Sequence, residues 1–391
     1  MNNKNYVSDL AAFGGRPKFS EPLHVGRPNV GDRKAFLARV EAMLDRRWFT
    51  NNGPMVMDLE ARLAAVLRVK HCILACNATI ALQMTIRALG FTGEVIVPSF
   101  TFIATAHALA WQEVTPVFCD VDPTSHNIDP SEIEKLITPR TTGIIGVHVW
   151  GRPCDTDTIQ TIADKHGLLV AYDAAHAFLC SHNGRRIGGF GNAEVFSFHA
   201  TKFFNTFEGG AITTNDDTLA AKLKLIRNFG FAGADEVQEL GINGKMSEVS
   251  AAMGLTLLED LEPLLHTNRT NHAAYALGLA GIPGLSLVTF ESADENNHQY
   301  IVVKVDPIKY GIDRDRLVAL LHQENVLARR YFYPACHRME PYRQGPPPRR
   351  PLPVTEDLAA SLMTLPNGTA VGKSEISDIC DILRICQQIG T

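Results

Sequence analysis

Seven short, continuously apolar segments recur between residues 55 and 265 of this 391-residue chain, and amphipathic helical patterns separate most of them. The segments read "HCILACN", "EVIVPS", "TPVFCDVD", "TGIIGVHVW", "GLLVAYD", "AEVFSF" and "GGAITTN". A strand that is apolar throughout must be covered on both faces, and parallel strands joined by helices provide that cover. The pattern therefore predicts an α/β fold with a mostly parallel, seven-stranded sheet.

The pattern changes after residue 265. A long helical segment, the strand-like "HQYIVVKVD" and the helical "DRDRLVALLHQENV" predict a smaller α+β C-terminal domain. We therefore divide the chain into an N-terminal arm (1–30), a large domain (31–265) and a small domain (266–391). The stretch "GPPPRRPLP" at 345–353 predicts a loop, because proline interrupts helices and central strands.

Charge and cysteine content narrow the class of protein. The chain has 37 basic and 42 acidic residues, a net charge of −5, so we expect no general affinity for nucleic acid or acidic membranes. The N-terminal segment lacks a signal-peptide pattern, and no 18-residue apolar run predicts a membrane span. Eight scattered cysteines without a C-x-x-C pair predict free thiols, no zinc site and a cytoplasmic location.

Polar residues follow three of the predicted strands, where functional groups collect in a parallel sheet. Asn77 opens a helix whose first amide groups could hold a phosphate, although a role as helix N-cap explains Asn77 as well. Asp173 ends a buried strand, where a carboxylate requires a cationic or hydrogen-bonding partner, unless it too is an N-cap. Lys202 follows another strand, and the adjacent Phe203 and Phe204 favour an enclosed amine over an exposed one.

These three strand ends together match the requirements of pyridoxal phosphate. A lysine forms a Schiff base with its aldehyde, an acid keeps its pyridine nitrogen protonated, and a helix N-terminus holds its phosphate. Phe102, at the end of another strand, is expected to cover the face of the ring. The sequence therefore predicts a pyridoxal phosphate site formed by Lys202, Asp173 and the helix after Asn77.

Several longer motifs carry a resemblance to a known family. The segments "DAAHAF", "FSFHATKFFNTFEGGAITTND", "IRNFGF" and "GINGKMSEVSAAMG" resemble those of the DegT/DnrJ/EryC1/StrS sugar aminotransferases. The resemblance extends from about Gly31 to the C-terminus. It implies the type I aminotransferase fold and a homodimer whose active sites are shared between the subunits.

The resemblance also implies individual roles. The catalytic residues would be Lys202 as the Schiff-base lysine, Asp173 as the partner of the pyridine nitrogen, and His176 near the phenolic oxygen. The other cofactor contacts would be the backbone of Thr79 and Ile80, the Ser197 hydroxyl, the stacking Phe102, and Asn228 from the neighbouring subunit. The chain departs from the commonest family pattern at Ala78, His176 and Lys245, where many members have glycine, glutamine and arginine.

A narrower likeness concerns the substrate. "HATKFFNTFEGG", "NGKMSE" and "ENVLARRYFYPACHRMEPY" resemble members that aminate C4 of dTDP-4-keto-6-deoxyglucose in deoxyamino sugar biosynthesis. The expected reaction moves an amino group from L-glutamate to a nucleotide-linked keto sugar. Substrate contacts are expected from Asn51, Lys245, Arg329, Tyr331 and Tyr333. A tight turn would also explain Asn51, and a solvated charged edge would explain the last three.

Alternatives remain at this stage. An aminotransferase acting on another keto-sugar position, or on a cyclitol ketone, would share every cofactor residue. Relatives that dehydrate a sugar carry histidine at the position of Lys202, and a non-catalytic sensor would be expected to lack that lysine. A nicotinamide-dependent oxidoreductase would need G-x-G-x-x-G after the first strand, where this chain has "CNATIA".

Overall fold

The computed structural model describes residues 4–290 and 294–390. Residues 1–3 of the predicted arm, and 291–293 and 391 of the predicted small domain, lie outside the described residues. The α-helices are α1 (Arg33–Arg46), α2 (Pro54–Leu67), α3 (Ala78–Leu89), α4 (Ala104–Ala110), α5 (Pro130–Ile133), α6 (Thr156–His166), α7 (Asp217–Arg227), α8 (Glu248–Glu259), α9 (Leu261–Leu279), α10 (Pro307–Tyr310), α11 (Arg314–Gln323), α12 (Glu340–Arg343), α13 (Pro353–Ser361) and α14 (Lys373–Gln387).

The strands are β1 (Leu23–His24), β2 (His71–Ala75), β3 (Glu94–Pro98), β4 (Thr115–Cys119), β5 (Thr141–Val147), β6 (Leu169–Asp173), β7 (Ser181–His182), β8 (Arg185–Arg186), β9 (Ala193–Ser197), β10 (Gly210–Thr214), β11 (Phe231–Gly233), β12 (Glu236–Val237), β13 (Leu285–Leu287), β14 (Ile301–Val305), β15 (Val326–Leu327) and β16 (Leu362–Leu365). Short 3₁₀ helices lie at Val7–Asp9, Ala11–Phe13, Glu134–Leu136, Val149–Gly151, Cys336–Arg338 and Gly368–Ala370.

The seven predicted strands form one sheet in the order β2-β10-β9-β6-β5-β3-β4. Neighbours are parallel except at β10, which runs antiparallel to both β2 and β9. The connection from β9 to β10 contains no helix to carry the chain back across the sheet, so the chain reverses direction there. The predicted mostly parallel, seven-stranded sheet is confirmed.

Helices cover both faces of this sheet, which explains why its strands are apolar throughout. Along β2, Cys72 and Leu74 belong to one apolar cluster, while Ile73 and Ala75 belong to another on the opposite face. Successive side chains of a strand point to opposite faces, so each strand contributes to both cores.

A smaller body follows. Strands β13, β14 and β16 form a three-stranded antiparallel sheet, and α9, α11 and α14 contribute to a separate apolar core beside it. Helix α9 spans the two bodies, because Leu264 packs in the core of the large sheet and Tyr275 in that of the small one. The predicted boundary at residue 265 thus falls inside one continuous helix.

The N-terminal segment packs against the small body. Leu10 is buried in the small core, and β1 pairs in parallel with β15. The buried Glu324 carboxylate accepts a hydrogen bond from Lys4 Nζ at 2.9 Å, and from the backbone N–H groups of Ala11 and Lys18 at 2.6 Å each. This side chain therefore anchors three points of the arm.

The proline- and arginine-rich stretch forms the predicted loop up to its last residue. Arg349 donates hydrogen bonds to Glu94 at 2.5 Å and to the Leu136 carbonyl at 3.1 Å, which attaches the loop to the large body. Pro353 begins α13, a position that needs no backbone donor.

All eight cysteines are free thiols, as their scattered spacing predicts. Across residues 4–290 and 294–390, no helix has both the length and the apolar character needed to cross a membrane.

Candidate active site

The carboxyl ends of β2, β6 and β9 place three of the predicted site segments along one edge of the large sheet. Gly210, the first residue of β10, pairs with Ser197 on one side and with Ala75 on the other. A Cβ at Gly210 would lie 2.7 Å from the backbone nitrogen of Ala78, so only glycine allows this close approach. The start of α3 and the Ser197 hydroxyl are thereby brought to the same edge.

Asp173 is the last residue of β6, and its side chain is buried, with 5% of the residue exposed. Its oxygens accept hydrogen bonds from the Thr105 hydroxyl at 2.7 Å and from the Ala175 N–H at 3.1 Å. Burial raises the pKa of Asp173, whereas these two bonds and the charge of Lys202 oppose the rise. The segment that follows forms turns and no helix, so Asp173 is not a helix N-cap.

Lys202 lies in the connection between β9 and β10, and its side chain is half-buried. Its Nζ donates a 2.8 Å hydrogen bond to the Tyr300 hydroxyl. Burial lowers the pKa of Lys202 to about 8, against the opposing electrostatic effects of Tyr331 and of the Asp173 carboxylate. Phe203 and Phe204, which follow Lys202, are buried beside Phe178.

His176 is buried in an aromatic stack. Its ring lies 5.7 Å from Trp150 and 5.9 Å from Phe332, with nearly parallel planes. The Trp150 backbone N–H donates to His176 Nδ1 at 3.2 Å, which assigns the remaining ring hydrogen to Nε2. Burial holds the pKa of His176 well below its usual range, so the ring is a neutral donor at physiological pH.

The start of α3 is consistent with both roles considered for Asn77, a helix N-cap and the opening of a phosphate site. The Asn77 side chain accepts a 2.8 Å hydrogen bond from the Ile80 N–H, and Asn77 is therefore an N-cap. That bond already occupies one of the two amide groups predicted to hold phosphate, and Thr79 is the better candidate of the pair. Ser197 Oγ accepts a long bond of 3.4 Å from the His199 N–H.

The remaining predicted cofactor contacts lie at the surface of this single chain. Phe102 is 58% exposed in the connection between β3 and α4, and its stacking role stays a prediction. Asn228 is the C-cap residue of α7. Its side-chain oxygen accepts a 2.9 Å bond from Lys245 Nζ, which also lies 4.5 Å from the centre of the Phe229 ring. Two residues predicted separately for cofactor and substrate thus contact each other.

The predicted substrate residues do not form one cluster. Arg329 donates to the Tyr331 hydroxyl at 2.8 Å, and the Tyr331 ring lies 6.1 Å from that of Tyr300. Tyr333 is instead exposed and packs against the guanidinium of Arg330 at 4.6 Å. Asn51 is exposed in a left-handed turn conformation with φ of 61°.

Two residues that contact Asp173 or Lys202 are not predicted from the sequence. Thr105, on α4, gave no signal beyond its position shortly after Phe102. Tyr300 immediately precedes β14 in a segment that reads as an ordinary core strand, so nothing local indicates that its hydroxyl reaches Lys202.

The chemistry of these residues fits pyridoxal phosphate. Lys202 provides an amine with a lowered pKa for the aldehyde, and Asp173 provides a buried carboxylate for a protonated ring nitrogen. Ser197 and the first turn of α3 provide neutral donors for phosphate, which the positive end of the helix dipole also favours.

Comparisons with known proteins agree with this chemistry. Residues 31–384 match the model of the DegT/DnrJ/EryC1/StrS aminotransferase family. A dTDP-4-amino-4,6-dideoxy-D-glucose transaminase of Shigella dysenteriae is 41% identical over 322 residues, which cover 82% of this chain and 88% of that protein. The Escherichia coli transaminase of the same name is 36% identical over 365 residues, covering 92% of this chain and 98% of its own. The crystal structure of DesI in the presence of its TDP-sugar product superposes with a TM-score of 0.95 at 48% identity, covering 98% of this chain and 97% of DesI.

Proposed function

The chain belongs to the DegT/DnrJ/EryC1/StrS aminotransferase family, whose members depend on pyridoxal phosphate, and from that premise we propose its substrates. It moves an amino group from L-glutamate to a nucleotide-linked keto sugar, dTDP-4-keto-6-deoxyglucose, and the amine is placed at C4. The similarity to two transaminases named for a 4-amino dTDP sugar, and to DesI with its TDP-sugar product, supports the choice of nucleotide and carbon.

We assign the cofactor contacts as follows. Lys202 carries the aldehyde end, Asp173 pairs with the ring nitrogen, and His176 donates towards the phenolic oxygen. Phe102 covers one face of the ring. The phosphate contacts are Ser197, Thr79, Ile80, whose N–H the phosphate would share with the Asn77 side chain, and, from a second copy of the chain, Asn228. When bound, pyridoxal phosphate withdraws electrons from the carbon that bears the amino group, and the hydrogen on that carbon becomes acidic.

The proton chemistry is assigned to Lys202. Its Nζ would take the proton from Cα of glutamate as a neutral amine and would deliver it, as an ammonium group, to C4′ of the bound cofactor. A pKa near 8 makes both forms accessible near neutral pH, which is the condition for an efficient general acid and base. Thr105 and the Ala175 N–H keep Asp173 ionised, because both donate to its carboxylate.

A homodimer with shared sites is part of the proposal. Phe229, Phe231, Val237 and Leu240 form an exposed apolar surface immediately after α7. Large apolar side chains exposed close together are typical of a protein interface. Asn228 and Lys245 lie beside it, which is the position required if a second copy completes each site.

The substrate contacts and the location are likewise proposed. Lys245 and Arg329 supply positive charge for the diphosphate, and Asn51, Tyr331 and Tyr333 border the sugar. We place the protein in the cytoplasm, because eight free cysteines suit a reducing compartment.

The single observation that carries the proposal is the placement of Lys202 and Asp173 at one sheet edge in a chain so similar to these transaminases. The test is incubation with ¹⁵N-labelled L-glutamate and dTDP-4-keto-6-deoxyglucose, followed by NMR of the product. We expect ¹⁵N bonded to C4. The GDP- and UDP-linked 4-keto-6-deoxy sugars, a dTDP-3-keto sugar and a cyclitol ketone serve as competitors. Faster amination of any competitor would contradict the proposed substrate.

A further inference from the structure

The Lys202 amine is hydrogen-bonded to a residue from the small body. Its Nζ lies 2.8 Å from the hydroxyl of Tyr300, the residue immediately before β14 in the three-stranded sheet. Gln299, next to Tyr300, accepts a 3.2 Å bond from the Phe203 N–H through its side-chain oxygen. Adjacent residues of one segment therefore hold both the side chain of Lys202 and the backbone that follows it.

The Tyr300 ring is held firmly by its neighbours. Only 6% of the residue is exposed, and its ring centroid lies 4.4 Å from that of His176 and 5.5 Å from that of Trp150. Its hydroxyl position is therefore set by packing and does not depend on the bond to Lys202. Such a group can fix the place of a flexible side chain.

A hydroxyl suits a lysine that alternates between two charge states. It accepts a hydrogen bond from the ammonium form and can donate one to the neutral amine, whereas a carboxylate or carbonyl can only accept. Burial raises the pKa of Tyr300, so this hydroxyl keeps its hydrogen throughout the physiological range. Both oxygens of the nearby Asp173 already accept bonds from Thr105 and Ala175.

We propose that Tyr300 is a positioning residue for Lys202: its hydroxyl holds the amine in one place whenever that amine is not covalently joined to the cofactor. It serves both the protonated and the neutral form. This inference rests on the proposed function, which gives Lys202 its proton-moving role. It adds a small-body residue to a set of cofactor contacts otherwise assigned to the large body and to a second copy.

The test measures the chemical state of Lys202 directly. The enzyme is first treated with excess L-glutamate, so that the cofactor holds the amino group and Lys202 is free. Brief acetylation from pH 6 to pH 10, with mass spectrometry of the Lys202 peptide, then gives the pH midpoint of its reactivity. Tyr300→Phe removes a hydrogen-bond partner from both forms, but the bond made by the charged ammonium is the stronger of the two, so the midpoint should fall by about one unit relative to the unaltered enzyme.

Tyr172→Phe is the matched control. It removes a buried tyrosine hydroxyl that has no hydrogen-bond partner in the described part of the chain and lies next to Asp173 in sequence. The midpoint should not move in this variant. An unchanged midpoint in Tyr300→Phe, or an equal shift in both variants, would overturn the inference.

A second variant covers the case in which Tyr300→Phe does not fold. Incorporating 4-aminophenylalanine at position 300 keeps the ring but replaces the hydroxyl by an aromatic amine, which stays neutral from pH 6 to pH 10 and is a much poorer acceptor, and the midpoint should again fall. No shift there also contradicts the role. Failure of the proposed function gives a different result: Lys202 of the unaltered enzyme would stay unreactive after glutamate treatment, because no amino group had been transferred.

Discussion

The Thr105 hydroxyl donates a 2.7 Å hydrogen bond to the buried carboxylate of Asp173, although Thr105 lies in the first turn of a helix and Asp173 ends a strand 68 positions later. The bond, together with the Ala175 N–H, stabilises the charged form of a group whose burial favours the neutral one. It would therefore maintain the charge that the proposed pairing of Asp173 with the cofactor's ring nitrogen requires.

Replacing Asp173 by asparagine should lower kcat by about 10³-fold, or about 4 kcal/mol, since an amide cannot keep the ring nitrogen protonated. Thr105→Val is the matched comparison, because it keeps the carboxylate and removes one donor. This variant should lower kcat only about tenfold. Its acid limb in the pH–rate profile should move to higher pH, because the pKa of Asp173 rises without that bond. A loss below tenfold in Asp173→Asn would make Asp173 a structural residue.

Lys202→Ala should abolish both covalent attachment of the cofactor and amino transfer. Borohydride reduction, followed by mass spectrometry, should show the cofactor joined to Lys202 in the unaltered enzyme and unattached in the variant. Lys165→Ala, which removes an exposed lysine from α6, is the control and should behave like the unaltered enzyme. Retained activity in Lys202→Ala would refute the assignment.

The lowered pKa of Lys202 predicts a pH-dependent stability of the cofactor-free chain. Below about pH 8 both the folded and the unfolded states carry the proton, so the cost of burying the ammonium is constant. From about pH 8 to the unfolded-state pKa near 10.4, only the unfolded state keeps it, and stability rises with pH. Lys202→Met should therefore be more stable than the unaltered chain at pH 7, with a gap that narrows by pH 10.

Urea unfolding at pH 7, 9 and 10 measures this gap, and Lys165→Met supplies an exposed lysine for comparison. The comparison variant should show no such trend. A gap that widens with pH would mean that burial does not disfavour the Lys202 ammonium.

Mixing two inactive variants tests whether the sites are shared. Heterodimers of Lys202→Ala and Asn228→Ala chains contain one intact site if Asn228 acts on the partner's cofactor, and activity should partly recover. Lys202→Ala mixed with Asp173→Asn leaves no intact site and should stay inactive. If the first mixture also stays inactive while both variants dimerise, Asn228 is simply the C-cap of α7 that contacts Lys245.

The buried Lys4–Glu324 pair predicts a stability effect far from the site. Lys4→Met should lower the free energy of unfolding by about 3 kcal/mol, because it leaves a buried carboxylate without its cation. Adding Glu324→Gln should cost less than the sum of the two single changes. Lys304→Met, which breaks an exposed pair with Asp357, should cost under about 1 kcal/mol in the same urea titration.

Most of the large sheet could be predicted from the sequence, because strands that are buried on both faces, such as β2 and β6, are continuously apolar. The antiparallel direction of β10 was not predicted, because it depends on how the chain connects and not on which residues are apolar. Lys202 and Asp173 could be proposed because strand ends of a parallel sheet meet at one edge.

Contacts between segments that are distant in the chain could not be predicted, because no local sequence pattern indicates them. The segment around Tyr300 has the composition of a core strand. The approach of Tyr300 to Lys202 depends on how the small body packs against the large one. Tyr331 and Tyr333 are close in sequence, but the backbone directs their side chains to different neighbours, Tyr300 and Arg330. The sequence alone does not indicate this separation.

The anchoring of the arm by Glu324 has a consequence for synthesis. Lys4 leaves the ribosome 320 positions before the carboxylate that binds it. The large body can be assembled from earlier segments, since domains generally fold as they emerge. The arm, however, cannot bind Glu324 until nearly the whole chain has been made, and its closure onto the small body belongs to the last stage of biogenesis.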